Sequence, residues 1–165
     1  MKYLYICRHA KSNQEVPNVK DFDRPLNERG LKDAPQMAEF LLEKNISFDL
    51  IISSPALRAK TTAVIYADKL GYKKDEIQLE QRIYEADIND LVDIFKLIPD
   101  NNNHVAIFGH NPTFTYLIEY LTEYEIENLP TCGIACIEIN TDHWSQVNSQ
   151  INKVSFLIFP KMLRD

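Results

Sequence analysis

The hydrophobic residues of this chain fall into short apolar runs that alternate with longer amphipathic stretches. Three of the runs are Tyr3 to Cys7, Leu50 to Ile52 and Val105 to Phe108. Short continuous apolar runs of this kind are typical of strands that are buried on both faces of a parallel sheet. The pattern therefore predicts three buried strands that lie side by side.

Four stretches repeat their apolar residues at helical spacing. They run from about Leu31 to Leu42, from about Ala56 to Leu70, from Leu91 to Ile98 before Pro99, and from Phe114 to Leu121 after Pro112, which suits a first helical position. Gly71 has the position of a C-terminal cap of the second helix. Two residues could cap the start of the first helix. Asn27 is one, but a helix that begins there would contain Pro35 in its interior and be kinked. Asp33 is an equal alternative, because Pro35 would then lie in the first turn.

The alternation of strands and helices predicts an α/β fold, a three-layer α/β/α sandwich with a mostly parallel central sheet. No linker or repeat interrupts the chain, so we expect a single domain over residues 1–165. The end of the chain differs, because Ile134 to Ile139 and Val154 to Phe159 resemble strands joined by a polar loop too short for a good crossover helix. These two strands are predicted to form an antiparallel pair.

Composition narrows the class of protein. The chain has 165 residues, 45% of them hydrophobic and 25% charged, and a net charge of -6. The acidic balance argues against a nucleic-acid partner, because phosphate-backbone binding needs many clustered cations. No stretch is apolar and long enough to suggest a membrane segment, and Cys7, Cys132 and Cys136 do not form a disulfide framework. We expect a cytoplasmic protein.

Polar residues that can bind a ligand or take part in a reaction follow the three apolar runs. Arg8 and His9 follow the first, Arg58 lies just beyond the second and His110 follows the third. The carboxyl ends of parallel strands form one edge of a sheet, so these side chains should converge. Arginine forks bind phosphoryl oxygens in pairs, and a neutral imidazole is a competent nucleophile. The spacing predicts a phosphoryl pocket but does not decide which histidine is the nucleophile.

Three motifs and their order resemble a known family. They are Arg8-His9-Ala10-Lys11-Ser12, Ser53-Ser54-Pro55-Ala56-Leu57-Arg58-Ala59 and Gly109-His110-Asn111-Pro112, with Asp21 to Gly30 between the first two. The chain resembles the histidine phosphatase (phosphoglycerate mutase-like) superfamily, and most of all its SixA-type phosphohistidine phosphatase branch. The resemblance implies that His9 is transiently phosphorylated and that Arg8, Arg58 and His110 bind the phosphoryl oxygens. It also places Ser12 at the pocket wall.

The proton donor is the least defined group of the predicted site. Relatives that cleave esters carry a pocket carboxylate, and Glu85 falls in about the corresponding stretch, with Asp87 as a second candidate. A phosphohistidine substrate has a better leaving group than an ester and needs less acid assistance. The resemblance therefore implies a phosphatase that acts on phosphohistidine of a protein, without a metal ion or cofactor.

Two other functions remain open from the sequence. One is a phosphatase of small phosphate monoesters, or with less support a mutase, and the other is a phosphate-binding module without turnover. The intact set of Arg8, His9, Arg58 and His110 argues against the module, because a binder has no need of a nucleophile. No cluster of histidines, cysteines or carboxylates predicts a metal site, and the sequence does not indicate an oligomeric state.

Overall fold

A six-stranded sheet with helices packed against both of its faces organises the chain. The computed structural model describes residues 1–14, 16–149 and 152–164. Its strands are β1 (Lys2–Arg8), β2 (Leu50–Ser53), β3 (Gln78–Leu79), β4 (His104–Gly109), β5 (Ile134–Ile139) and β6 (Lys153–Ile158). Its α-helices are α1 (Glu28–Glu43), α2 (Leu57–Leu70), α3 (Ile88–Lys96) and α4 (Thr113–Thr122). The α/β prediction is confirmed.

The strand order is β3-β2-β4-β1-β5-β6, and it brings the ends of the three predicted buried strands together. β4 pairs in parallel with β1 on one side and with β2 on the other. β5 runs antiparallel to β1, and β6 runs antiparallel to β5, as predicted for the end of the chain. β3 was not predicted, because two exposed residues carry no hydrophobic pattern.

Successive residues of the central strands face opposite layers. In β1, Leu4 and Ile6 pack into one hydrophobic cluster, whereas Tyr5 and Cys7 pack into the other. The first cluster also holds the buried faces of α3 and α4 and the fully buried Trp144, and the second holds those of α1 and α2. Because a strand directs its side chains alternately to its two faces, a continuous apolar run supplies both layers.

The helix boundaries decide between the predicted alternatives. Asn27 caps α1, and its side-chain oxygen accepts a hydrogen bond from the Gly30 N–H at 2.9 Å. Asp33 as N-cap was wrong: it is buried within α1 and pairs with Arg164. The helix continues through Pro35.

The other helix ends lie close to the predicted ones. α2 ends at Gly71, whose φ of 75° is the left-handed conformation that glycine tolerates best. α3 ends at Lys96 rather than at Pro99, and α4 begins at Thr113 rather than at Pro112. Within the part of the chain that the structure describes, none of the helices is long and apolar enough to cross a membrane.

Candidate active site

The carboxyl ends of β1, β2 and β4 place the candidate residues at one edge of the sheet. Arg8 is the last residue of β1 and lies beside Gly109, the last residue of β4. His9 and His110 are therefore the first residues after two neighbouring strands. Their ring centroids are 5.4 Å apart. Arg58 enters from the first turn of α2, which follows β2. The structure brings together the four residues that the sequence singled out.

His9 is held in one tautomer by the backbone. Its Nδ1 lies 2.7 Å from the carbonyl oxygen of Ala10, and because a carbonyl can only accept, Nδ1 carries the hydrogen. Nε2 then has a free lone pair. Burial, together with the charges of Arg58 and Arg8, lowers the pKa of His9 to about 4. The ring is therefore neutral near pH 7, the state in which imidazole is a nucleophile.

Thr62 fixes the segment that carries His9. Its hydroxyl accepts a hydrogen bond from the Ala10 N–H at 3.0 Å and donates one to the Arg58 carbonyl oxygen at 2.8 Å. The His9 carbonyl in turn accepts from the Cys132 N–H. The loop after β1 is thus tied to α2 on one side and to the segment before β5 on the other, which restricts the position of the His9 ring.

His110 has the same Nδ1–H tautomer but leaves the opposite nitrogen atom to the site, and Ser54 sets this arrangement. The Ser54 hydroxyl oxygen lies 2.8 Å from Nε2 of His110 and accepts from the Ala56 N–H at 3.2 Å. Among the described residues the Ser54 hydroxyl has no other acceptor, so its hydrogen is satisfied only when it donates to Nε2. Nδ1 of His110 then carries a hydrogen. Burial, with the neighbouring His9 and Arg58, lowers the pKa of His110 to about 3, so the ring stays neutral.

Unpartnered nitrogen atoms mark the interior of the site. Within residues 1–14, 16–149 and 152–164, the buried side-chain polar atoms without a hydrogen-bond partner are Nε of Arg8, Nε of Arg58 and Nδ1 of His110. Each of these atoms is an N–H donor in the protonation state derived above. A buried donor without an acceptor is costly, and native proteins rarely keep one without a functional reason. Three such donors in one cluster fit an anion with several oxygen atoms.

The arginines are anchored by groups outside the strand-end motifs. Arg8 donates to the Leu129 carbonyl oxygen at 2.9 Å. Arg58 donates to the carbonyl oxygen of Asp21 at 2.8 Å and to its carboxylate at 3.1 Å. These contacts use the terminal nitrogen atoms and leave both Nε–H groups without a partner. Each guanidinium is therefore oriented before any ligand binds.

Asp21 organises a second layer of the site that the sequence did not reveal. Its carboxylate also accepts from the Tyr84 hydroxyl at 2.6 Å and pairs with Arg24 at 2.8 Å. The hydrogen bond from Tyr84 and the positive charges of Arg24 and Arg58 hold the pKa of Asp21 well below its usual range. The Tyr84 ring contacts the His110 ring edge-on, with 5.7 Å between centroids. Only the Asp21 to Gly30 motif hinted at this layer.

Among the described residues, Ser12, Glu85 and Asp87 form no hydrogen bond with His9 or His110. Ser12 is buried, and its hydroxyl accepts a hydrogen bond from Arg24 at 3.0 Å. Asp87 caps α3 by accepting from the Asp90 N–H, so its carboxylate has a structural partner. Glu85 is exposed beside Tyr84 and has no hydrogen bond to another described residue. Of the two candidate proton donors, Glu85 is thus the one that is free to act.

This geometry suits transfer of a phosphoryl group. A neutral imidazole with a free lone pair faces three unpartnered N–H donors, the arrangement needed to attack phosphorus while charge on the equatorial oxygens is stabilised. Metal binding needs a different set of ligands. In the described part of the chain no group of three or more histidines, cysteines or carboxylates is placed to hold a metal ion.

Known proteins resemble this chain in sequence or in fold. An uncharacterized protein of Mycobacterium tuberculosis is 28% identical over 150 residues, covering 85% of this chain and 90% of that protein. The structure of the protein histidine phosphatase SixA complexed with tungstate superposes with a TM-score of 0.84 at 21% identity, covering 98% of this chain and 99% of the other. Mycobacterial glucosyl-3-phosphoglycerate phosphatase gives a TM-score of 0.66 at 13% identity, covering 93% and 98%. These likenesses confirm the fold.

A family model carries the assignment further than the fold does. The model of the histidine phosphatase superfamily (branch 1) matches residues 4–96, more than half of the chain. The matched segment contains the strand-end pair Arg8 and His9, Ser12 and the helix-borne Arg58. Because the motifs, the site geometry and this match agree, the chain belongs to the histidine phosphatase superfamily, branch 1.

Proposed function

We propose that this protein is a SixA-type phosphatase that hydrolyses phosphohistidine on a protein through a covalent phospho-His9 intermediate. The observation that carries the proposal is the orientation of His9. Its Nδ1–H is held by the Ala10 carbonyl oxygen, which leaves the Nε2 lone pair for attack. A module that only bound phosphate would need donors at this position rather than a neutral imidazole with a bare nitrogen atom.

The reaction has two balanced steps. Nε2 of His9 attacks the phosphorus atom, the P–N bond to the substrate imidazole breaks, and that imidazole leaves with a proton from solvent or from Glu85. Water then attacks the phosphorus atom of phospho-His9, which releases inorganic phosphate and returns the lone pair to Nε2. In both steps Nε–H of Arg8, Nε–H of Arg58 and Nδ1–H of His110 bind the equatorial oxygens. None of these steps requires a metal ion or a cofactor.

The carboxylates around the site favour a P–N substrate over an ester. Asp21 is a poor acid, because its contacts with Tyr84, Arg24 and Arg58 keep it ionised. Asp87 is occupied as the cap of α3. Only the exposed Glu85 remains as a donor, and an exposed carboxyl group is weakly positioned. An alkoxide leaving group depends on a strong acid, whereas imidazole is expelled with less assistance.

The comparisons support a protein as the carrier of the phosphohistidine. The chain covers nearly the whole length of the solved protein histidine phosphatase SixA, with a TM-score of 0.84. The segment from Glu85 to His110 holds only α3 and β4, so no insertion covers the site from this side. A site open on this side can receive a histidine that projects from a folded surface. We keep the expectation of a cytoplasmic location as part of the proposal.

Trapping in alkaline detergent, in which the P–N bond survives, and a substrate panel test the proposal together. The protein is incubated with a phosphohistidine-bearing protein labelled with 32P, quenched, and analysed for retained label, beside a His9→Ala variant. We expect label on the wild type only, and a higher kcat/KM for phosphohistidine than for sugar or nucleotide phosphates. A preference for the esters would instead identify a monoester phosphatase. The absence of both label and hydrolysis would identify a binding module.

A further inference from the structure

A basic depression lies on the surface next to the active site, although the chain as a whole is acidic. The depression has a volume of about 320 Å³ and is lined by Lys11, Arg29, Asp33, Lys161 and Arg164, with Pro130, Thr131, Phe159 and Pro160 completing its walls. Four cationic side chains thus surround one carboxylate, in a protein of net charge -6. A positively charged depression on a negatively charged surface attracts an acidic ligand to one place.

The single carboxylate of the depression does not neutralise the whole set of cations. Asp33 is 3% exposed, and both of its oxygens accept from Arg164 at 3.1 Å. None of the salt bridges formed among the described residues involves Lys11, Arg29 or Lys161. All three of these side chains belong to exposed residues. Their charges are available to a ligand.

The walls of the depression are held in place by tight packing. A Cβ atom on Gly30 would lie 2.2 Å from the Lys11 carbonyl oxygen, so only glycine lets the start of α1 approach that backbone. The Asn27 N–H donates to the same oxygen at 3.0 Å. The paired hydrogen bonds from Arg164 to Asp33 fix the C-terminal segment on α1. The cations therefore sit on three segments with a defined relative position.

The depression adjoins the loop after β1, which carries His9. Lys11 follows His9 by two residues, roughly 7 Å of extended chain. The opposite wall contains Pro130 and Thr131, and the neighbouring residues hold the site, because Leu129 accepts from Arg8 and Cys132 donates to His9. A polypeptide whose phosphohistidine enters the site can therefore extend over the basic depression.

We propose that this basic depression binds an acidic segment that flanks the phosphohistidine of the protein substrate; the inference rests on the proposed function. An extended segment places every second side chain on one face, at intervals of about 7 Å. Carboxylates at that spacing can reach cations that come from the loop after β1, from α1 and from the C-terminal segment. The acidic remainder of the surface repels the same segment and so favours one orientation.

Two phosphohistidine peptides that differ only in their flanks provide the test. One carries glutamates on both sides of the phosphohistidine, and the other carries glutamines. The wild type is expected to prefer the glutamate peptide in kcat/KM by about tenfold, the effect of two or three exposed charge pairs. In the double variant Arg29→Glu/Lys161→Glu this ratio should fall to about one or below, because two attractions become repulsions.

A matched charge reversal and the salt dependence make the outcome decisive. Lys73→Glu reverses an exposed charge elsewhere on the surface and should keep the wild-type ratio. The wild-type preference should also weaken between low and high salt, because exposed charges are screened. A thermal melt of the double variant checks that it is folded. Equal hydrolysis of the two peptides by the wild type would overturn the docking inference alone, whereas hydrolysis of neither would overturn the proposed function with it.

Discussion

Replacement of Ser54 by alanine tests how the site fixes the proton of His110. The Ser54 hydroxyl donates to Nε2 of His110 at 2.8 Å, and this bond keeps the hydrogen of the neutral ring on Nδ1. Without the hydroxyl, the ring can place its hydrogen on Nε2 instead. Nδ1 would then present a lone pair to the phosphoryl oxygens, and one donor of the site would become a repulsive acceptor.

The expected loss follows from the strength of one hydrogen bond. A buried hydrogen bond contributes about 0.5–1.5 kcal/mol net, and about 1.4 kcal/mol corresponds to a factor of ten in rate. Ser54→Ala should therefore lower kcat/KM by about two- to tenfold. His110→Ala removes the donor in every molecule and should cost about a hundredfold or more, as loss of an oxyanion-type donor does. Ser54→Ala thus falls between the wild type and His110→Ala.

Ser53 offers a matched control one residue away. Its hydroxyl is equally buried and donates to the Ser54 carbonyl oxygen at 2.9 Å, without a contact to His110. Ser53→Ala should lose similar stability but keep kcat/KM, measured on a phosphohistidine peptide. Nitrogen-15 NMR of the histidine rings should show hydrogen on Nδ1 of His110 in the wild type and on Nε2 in part of the Ser54→Ala molecules. An unchanged tautomer, or an equal loss of activity in Ser53→Ala, would refute the role assigned to Ser54.

Three further predictions concern other parts of the molecule. His9 should titrate at a pKa of about 4 in an NMR pH titration of the folded protein, and titration near 6.5 would contradict this. In the unfolded state His9 takes up its proton near pH 6.5, so the free energy of unfolding should fall as the pH drops from about 6.5 towards 4. Gly30→Ala places a Cβ 2.2 Å from the Lys11 carbonyl oxygen and should destabilise the protein by about 2 kcal/mol, or about 4–8 °C in a thermal melt. Gly71→Ala meets no atom within 4 Å and should cost only about 1 kcal/mol for its positive φ; an equal or larger loss at Gly71 would argue against the clash. Glu85→Gln should lower turnover of a phosphohistidine peptide by less than about threefold but turnover of glycerol 3-phosphate, an alkyl ester, by more, since general-acid assistance matters most for the poorer leaving group; the reverse order would place the acid elsewhere.

Local pattern was sufficient for much of the fold. The apolar runs predicted β1, β2 and β4, because a strand buried on both faces has to be apolar at every position. Helical spacing and Gly71 predicted α2 almost to the residue. The same reasoning failed for β3, whose two residues are exposed. It also left Asn27 and Asp33 as equal caps of α1, because sequence spacing does not show that Asp33 pairs with Arg164, 131 residues further along the chain.

The candidate site shows the same division between near and distant residues. The sequence brought Arg8, His9, Arg58 and His110 to one edge, because each follows a buried strand directly or by one turn of helix. It could not identify Asp21 as the partner of Arg58 or Tyr84 as the partner of Asp21, since Asp21 and Tyr84 lie in segments without regular hydrophobic pattern and meet only after the strands have paired. Ser54 lies within the second motif, but its contact with His110 depends on the β2–β4 pairing.

The sequence by itself determined the chemistry that this chain can offer: two imidazoles and two guanidinium groups at the ends of buried strands. Only the tertiary structure decided how each ring presents its nitrogen atoms. His9 presents the bare Nε2 because the Ala10 carbonyl oxygen of its own loop accepts from Nδ1. His110 presents Nδ1–H because the Ser54 hydroxyl, which follows a neighbouring strand, donates to Nε2. A tautomer is set by whichever partner lies within hydrogen-bond distance, and that distance exists only in the folded sheet.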